Sequence, residues 1–259
     1  MAAWMVHLRI ADRLLNLWPE LSATEFVMGS IAPDSGVPTG PVGVYMPDKT
    51  ISHFQERSAD GEKRIRADWF AQQYLTAEQR ACCTAAQHSF YLGYYVHLLT
   101  DIRWVEEIFR PSAQAEGQRF AANRSECILR WKEDWYDLDF LYLQQHPGLR
   151  AFEIYKDAKG FVNDYLNIFS PTAFDERRQG VADFYAQTVT GLDREYPYLT
   201  KERMDRFVEE SVVTIARQLT ETALCEPLIA KNREDGTAHC GKSIAASDGS
   251  RRCPESCPL

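Results

Sequence analysis

The beginning of the chain places apolar residues at the spacing of an α-helix. Trp4, Leu8 and Ala11 recur at intervals of four and three residues, so they share one helix face. We predict a helix over about residues 3–17. His7 belongs to this apolar face rather than to the charged face, so its imidazole is predicted to point into the core.

The helical period is absent from about residue 28 to residue 66. Pro33, Pro38, Pro41 and Pro47 interrupt this stretch, and proline disrupts a continuous helix. A loop of this length inside a compact domain is usually functional or disordered. Its many hydrophobic residues favour an ordered loop.

Most of the remaining chain has the pattern of further helices. The segment from Thr76 to Gln79 is a capping-box sequence, which predicts the start of a long helix ending before Pro111. No segment alternates convincingly between apolar and polar residues, as a strand would. The predicted helices run over about residues 66–75, 76–109, 113–144, 149–168, 172–190 and 200–231.

These patterns predict an all-α fold of the multi-helix type with one long ordered loop. We place the domain over residues 1–232. The following segment, residues 233–259, is rich in Gly, Ser and Cys and poor in apolar residues. Such a composition predicts a disordered tail.

Composition and charge narrow the functional classes. Hydrophobic residues make up 45% and charged residues 25% of the 259 residues, as in ordinary globular proteins. The net charge of −8 argues against bulk binding to nucleic acid or to an anionic membrane. The N-terminal segment lacks the apolar core of a secretory signal, and no apolar run is long enough to cross a bilayer. We therefore expect a cytoplasmic protein with mostly free thiols.

Candidate chemistry lies in the most apolar helical segment, YLGYYVHLLTDIRW. His97 and Asp101 stand four residues apart there, on one helix face, and each needs a partner when buried. His7, His53 and Asp34 also stand in apolar surroundings. Imidazole and carboxylate are the usual ligands of zinc and similar cations. A hydrogen-bonded core pair, a capping histidine and a proline turn are the alternatives for these residues.

The other three histidines are assigned to no site. His88 lies nine residues before His97, which places it about 180° away around the helix. His146 stands at a predicted helix end, and His239 lies in the predicted tail.

The order of the candidate residues resembles the zinc-dependent phospholipase C family, whose wider superfamily includes single-strand-specific nucleases of the same all-helical fold. The motifs fall within the first 110 residues, about two fifths of the chain. They are W-x-x-H at Trp4 and His7, GSIAPD ending at Asp34, SHF at His53, and LGYYVHLLTD at His97 and Asp101.

This resemblance implies a metal site with one or two zinc ions. Asp34, His53, His97 and Asp101 would hold one ion. His7 and the bridging Asp101 would hold a second.

The chain departs from the family pattern at two places. Secreted members complete the second site with the amino group of an N-terminal Trp, whereas Trp4 is internal here. We therefore expect a second ion that is more weakly held, completed by water, or absent. The family's third-site histidines are also missing. Asp134 and Asp137 are candidate substitutes, although solvated charge on a helix face is the favoured interpretation.

The resemblance implies a zinc-dependent hydrolase of phosphate esters, phospholipase C-like, acting on a small phosphate ester or a phospholipid headgroup. Asp34 is the candidate catalytic residue, which would orient or deprotonate the attacking water. Tyr45, Phe54 and Tyr94 are predicted to line the pocket. The alternative is a non-catalytic metal-binding helical protein that has lost hydrolase activity.

Overall fold

Helices account for 66% and strands for 5% of the residues that this computed structural model describes, which are 1–39, 44–57 and 63–225. The all-α class is therefore confirmed. Met1–Cys225 forms one compact unit. The predicted tail, residues 233–259, lies outside the described residues.

Twelve helices span the described part of the chain. A 3-10 turn, Ala32–Asp34, follows the second of them, and a π-helical segment, Val105–Phe109, joins the sixth to the seventh. The helices are α1 (Trp4–Leu17), α2 (Ala23–Gly29), α3 (Lys49–Ser52), α4 (Ala67–Tyr74), α5 (Ala77–Cys82), α6 (Ala85–Trp104), α7 (Arg110–Glu116), α8 (Gln118–Ala122), α9 (Arg124–Gln145), α10 (Arg150–Asp157), α11 (Ala173–Tyr185) and α12 (Lys201–Glu221).

The long loop contains short strands, which the sequence pattern did not predict. Strand β1 (Val37–Pro38) pairs antiparallel with β2 (Tyr45–Met46), and β3 (Gln55–Arg57) pairs antiparallel with β4 (Lys63–Ile65). Strands of two or three residues are too short to produce a visible alternation. The ordered loop stays a prediction, because residues 40–43 and 58–62 of this stretch lie outside the described residues.

Helix α6 lies at the centre of the core. All residues from Ser89 to Asp101 are buried, and α6 packs against α1, α2, α4 and α12. A helix that is apolar on all sides must be surrounded by other elements. Any polar group in its middle is therefore enclosed by protein.

The helix predicted over residues 76–109 is two helices in the structure. Thr76 caps α5, since its side chain accepts the N–H of Gln79. The chain then leaves the helical conformation and restarts at Thr84, which forms a full capping box with Gln87. A second capping sequence inside the predicted helix thus makes the single-helix prediction wrong.

The helical path does not end before Pro111, contrary to the prediction. Proline lacks an N–H, and its ring would clash with the carbonyl four residues earlier in a regular helix. The π-helical segment Val105–Phe109 lies directly before it. A wider turn of this kind accommodates the proline, and the chain continues into α7.

The later helices are shorter than predicted. The segment predicted as one helix over residues 113–144 breaks at Gly117, whose φ of +51° is not helical, and again at Asn123. The Asn123 side chain accepts the N–H of Glu126 and so begins α9. The remaining predicted helices end early, at Asp157, Tyr185 and Glu221.

Two glycines bring α2 against α6. A Cβ at Gly29 would clash with the carbonyl of Phe90, and a Cβ at Gly93 would clash with the carbonyl of Phe26. Only glycine allows backbones to approach this closely. This crossing places the end of α2, and the 3-10 turn after it, beside the middle of α6.

Candidate metal centre

The five predicted ligand residues come together from four separate segments. His7 is on α1, Asp34 ends the 3-10 turn, His53 follows α3, and His97 and Asp101 are on α6. The three imidazoles and Asp101 are at most 1% exposed, whereas the Asp34 side chain is 10% exposed. The resemblance thus identified residues that are up to 94 positions apart in sequence and adjacent in space.

The distances between their polar atoms suit shared ligation of a cation. His97 Nε2 lies 3.6 Å and His53 Nε2 lies 3.7 Å from Asp101 Oδ2, and His7 Nε2 lies 3.6 Å from Asp101 Oδ1. His53 Nε2 lies 3.5 Å from Asp34 Oδ1. These distances exceed the usual length of a hydrogen bond. Two ligands about 2 Å from one tetrahedral zinc ion lie roughly 3.3 Å apart.

Two groups of three residues meet the spacing needed for a metal ion. One group is His7, His97 and Asp101, and the other is Asp34, His53 and His97. Asp101 directs one oxygen towards His7 and the other towards His53 and His97. This arrangement fits the resemblance, which implies that Asp101 bridges two ions. His97 belongs to both groups of three.

Second partners fix the orientation of two imidazoles. His97 Nδ1 lies 2.8 Å from the carbonyl oxygen of Ser30, so Nδ1 carries the proton and donates it there. His53 Nδ1 lies 3.0 Å from Ser52 Oγ. Each ring therefore directs Nε2 into the cluster, as metal-ligating histidines do when the other nitrogen is held by a second partner.

The cluster leaves buried polar atoms without partners. Within the described residues, no hydrogen bond reaches either nitrogen of His7, Nε2 of His53 or His97, or Oδ2 of Asp101. Buried polar atoms are nearly always hydrogen-bonded, and leaving them unpaired is costly. A divalent cation would satisfy imidazole nitrogens and a carboxylate oxygen together, so the donor set fits a metal ion.

The charge state of most of these groups also suits ligation. Burial, reinforced by the charge of His97, lowers the pKa of His7 to about 4, and burial also lowers the pKa of His53. Both rings are thus neutral near pH 7. Burial alone would raise the pKa of Asp34, but the adjacent imidazole of His53 and the charge of Lys49 lower it below its usual range.

Asp101 and His97 form the most strongly coupled pair of the cluster. Burial opposes the ionisation of Asp101, but the Met1 amino group and the imidazoles of His7 and His97 lower its pKa well below the usual range. Burial likewise opposes protonation of His97, yet Asp101 raises the pKa of this ring. A bound cation would compete with the His97 proton, because metal ligands bind in their deprotonated form.

A cavity of about 400 Å³ lies beside the cluster. Of the five candidate ligands, only Asp34 lines it, and Asp34 Oδ2 accepts a hydrogen bond of 3.1 Å from Trp4 Nε1. Tyr45 lines the cavity as predicted. Phe54 and Tyr94 do not; both pack against Phe70, with ring centroids 5.3 and 4.6 Å from its own.

Asp134 and Asp137 take no part in the metal cluster. Arg194 pairs with both, at 2.8 Å from Asp134 Oδ1 and 2.8 Å from Asp137 Oδ2. Asp134 is only 2% exposed, so the interpretation as solvated charge is wrong for this residue. Both aspartates connect α9 to the segment before α12.

His88 and His146 also lie outside the cluster. His88 Nε2 is 3.3 Å from the carbonyl oxygen of Leu224, and His146 Nδ1 is 3.0 Å from that of Tyr142. His239 lies outside the described residues. The excluded His88 therefore has its own structural partner.

Sequence reasoning did not identify several residues of the cavity. Lys49, Lys132 and Arg177 line it together with Trp135 and Tyr136. These residues come from α3, α9 and α11, and no motif relates them. In the segment WKEDWYDLDF the sequence offered Asp134 and Asp137 as candidate ligands, whereas Lys132, Trp135 and Tyr136 are the residues that line the cavity.

No known protein-family model, curated protein or solved structure matches this chain. The resemblance to zinc-dependent phospholipases C therefore rests on the short motifs and on the cluster they form. Among the helices of the described residues, none combines the length and apolar character required to cross a membrane.

Proposed function

We propose that this chain is a divalent-metal-dependent hydrolase of phosphate esters, phospholipase C-like, with zinc as the metal. The observation that carries the proposal is the convergence of three imidazoles and two carboxylates, with unpaired buried atoms, beside a cavity that Asp34 enters. Mixed nitrogen and oxygen ligands suit zinc. When bound, such an ion supplies Lewis-acid polarisation of a phosphoryl oxygen and increases the acidity of water.

The ligand residues have different proposed roles. His53, His97 and Asp101 are enclosed anchors, and Ser30 and Ser52 hold the two imidazoles in orientation. His7 stacks on His97 with ring centroids 3.8 Å apart. Together with Asp101 it would hold a second ion. These groups bind and orient, but they do not reach the cavity.

Asp34 is the proposed catalytic residue because it belongs to both the cluster and the cavity. Trp4 holds one of its oxygens. Its lowered pKa keeps the carboxylate ionised and makes it a weak base. We therefore assign Asp34 to orienting the attacking water rather than to removing a proton from it.

Metal content and turnover test this function together. Protein purified without chelator should contain one to two equivalents of zinc or a similar cation, and it should hydrolyse generic phosphate esters in a chelator-sensitive manner. His97→Ala should lower the metal content, whereas the control His88→Ala should not. Metal-free protein that takes up no ion on titration would refute the proposal.

Asp34→Asn separates a hydrolase from a metal-binding protein. The amide oxygen can still coordinate weakly, so much of the metal should remain, while turnover falls by roughly 10² or more. Asp183→Asn, which removes the same charge from an exposed position, should change neither quantity. Wild-type protein that binds metal tightly but hydrolyses no ester of a broad panel would instead be a binding protein.

A further inference from the structure

The cavity beside the metal cluster has an excess of positive charge, although the chain carries a net charge of −8. Lys49 on α3, Lys132 on α9 and Arg177 on α11 line it. Among the described lining residues, Asp34 is the only acidic one. We call the three cations the cationic wall. The five metal-ligand candidates do not include any of them.

The cationic wall has hydrogen-bond donors that the described residues do not satisfy. Lys132 is half-buried and forms no hydrogen bond or ion pair with any described residue. Arg177 donates from Nη2 to the carbonyl oxygen of Gly36 at 2.9 Å, but its buried Nε has no acceptor within the described chain. Lys49 Nζ lies 3.7 Å from Asp34 Oδ1. Lys132 thus has donors available for a ligand, and Arg177 adds a positive charge that no described acidic side chain pairs with.

The members of the wall also repel one another. Burial lowers the pKa of Lys132, and the charge of Lys49 lowers it further. Among the charged side chains of the lining, Asp34 alone offsets the three cations, which leaves an excess of at least two positive charges in the cavity. Like charges held together at a partly enclosed site attract and concentrate anions.

We propose that the cationic wall selects phosphomonoesters, whose phosphate carries two negative charges, over singly charged phosphodiesters. This inference rests on the proposed function, and it narrows the phosphate-ester class of that function to monoesters, in place of phosphodiesters such as phospholipid headgroups. A dianion neutralises more of the excess positive charge than a monoanion does. Arginine binds phosphate oxygens through a planar donor fork and lysine binds them as a point charge.

Aromatic side chains strengthen this discrimination. Trp4, Trp135 and Tyr136 line the same cavity, and Arg177 lies 5.5 Å from the Trp4 ring centroid. Rings that replace water around a charged group reduce the local dielectric screening. A difference of one charge on the phosphate therefore has a larger effect here than on an exposed surface.

Equilibrium binding of methyl phosphate and dimethyl phosphate tests the inference. At about pH 8, above the second phosphate pKa of about 6, the first is a dianion and the second a monoanion. Calorimetric titration would compare wild type, Lys132→Gln, Arg177→Gln and the exposed control Lys159→Gln. Each protein would be tested metal-loaded and chelator-treated, with circular dichroism verifying the fold.

We expect wild type to bind methyl phosphate at least about tenfold more tightly than dimethyl phosphate, since a charged hydrogen bond contributes about that factor. The preference should persist without metal, fall in both wall variants and remain in Lys159→Gln. If chelation causes unfolding, the metal-loaded series decides. Equal affinities, or a preference that both wall variants retain, would overturn the inference.

These measurements separate the inference from the proposed function. A protein that prefers methyl phosphate through the wall but hydrolyses nothing would refute the hydrolase and retain the charge selectivity. A protein that hydrolyses esters but binds both probes equally would refute the charge selectivity and retain the hydrolase.

Discussion

Asp101 and Asp134 are two buried aspartates on long helices with opposite surroundings. Asp134 accepts hydrogen bonds from Arg194 at 2.8 Å and from the backbone N–H groups of Tyr198 and Leu199 at 2.7 and 3.1 Å. Asp101 accepts one from the N–H of Ala2 at 2.7 Å. Its other oxygen has no donor within the described residues and faces imidazoles.

This difference shows that burial alone does not distinguish a candidate ligand carboxylate from a structural one. Both are almost fully enclosed, at 0% and 2% exposure. What differs is whether protein donors satisfy the carboxylate. Protein donors satisfy Asp134 without a ligand, whereas Asp101 keeps an oxygen that a bound cation would satisfy.

The largest expected effect is on metal affinity. Asp101→Asn should lower it more than about 100-fold, because outer partners of a ligand alone contribute about 10- to 100-fold. Asp134→Asn should leave metal affinity unchanged and should instead lower the free energy of unfolding, because its pairing with Arg194 is weakened. Metal titration and denaturant unfolding of both variants measure this. Similar metal affinities in the two variants would remove the distinction between the aspartates.

Metal removal should lower the melting temperature of the wild-type protein. Saturation at about 100 times the dissociation constant stabilises a protein by about 2.7 kcal/mol, which corresponds to roughly 5–10 °C for a chain of this size. Asp101→Asn should show little response to chelator. Scanning calorimetry measures both.

Limited proteolysis locates the effect of metal removal. Trypsin cleavage after Lys49, next to the His53 segment, should accelerate on chelation, while cleavage after the exposed Lys159 should not. Unchanged melting and unchanged cleavage would show that no ion connects the four segments.

The α2–α6 crossing should be sensitive to a single methyl group. Gly93→Ala forces the two backbones apart, so unfolding should require roughly 1–3 kcal/mol less free energy, and metal affinity should fall with the displacement of Ser30 and Asp34. Gly180→Ala is the matched control. Its Cβ would meet nothing within 4 Å, and alanine favours a helix by about 1 kcal/mol over glycine. Denaturant unfolding that ranks the two variants in the opposite order would contradict this account.

The smallest expected effect concerns Asp139, a third buried aspartate. Tyr185 donates to its Oδ2 at 2.6 Å, and Oδ1 has no partner within the described residues. Burial raises its pKa to about 7, above the unfolded value near 4. The folded state therefore binds the proton more tightly, and this stabilisation is lost as the pH rises through 7.

We expect wild-type protein to lose stability on the order of 1 kcal/mol from this group between pH 6 and pH 8. Asp139→Asn, which keeps an acceptor for Tyr185, should lack this component. Thermal melts at both pH values should show that the melting temperature of the variant rises relative to that of wild type at the higher pH. A constant difference between the two proteins would show that Asp139 does not titrate in this range.

The sequence by itself determined the helical class and the residue types of the candidate ligands. Helical periodicity placed α1 within one residue of its observed start, and the four-residue spacing placed His97 and Asp101 on one face of α6. Both predictions concern neighbours within one or two helical turns. Backbone geometry alone sets such relations.

Packing decided the relations between distant segments. The close contact at Gly29 and Gly93 brings Asp34 to α6, and Arg194 reaches Asp134 across 60 residues. The cationic wall likewise comes from three helices that share no sequence period. Local propensity cannot specify which distant groups meet, because that choice depends on how whole helices pack. Tertiary structure alone therefore showed that Asp34 reaches a cavity, that Asp134 is paired, and that positive charge surrounds the cavity.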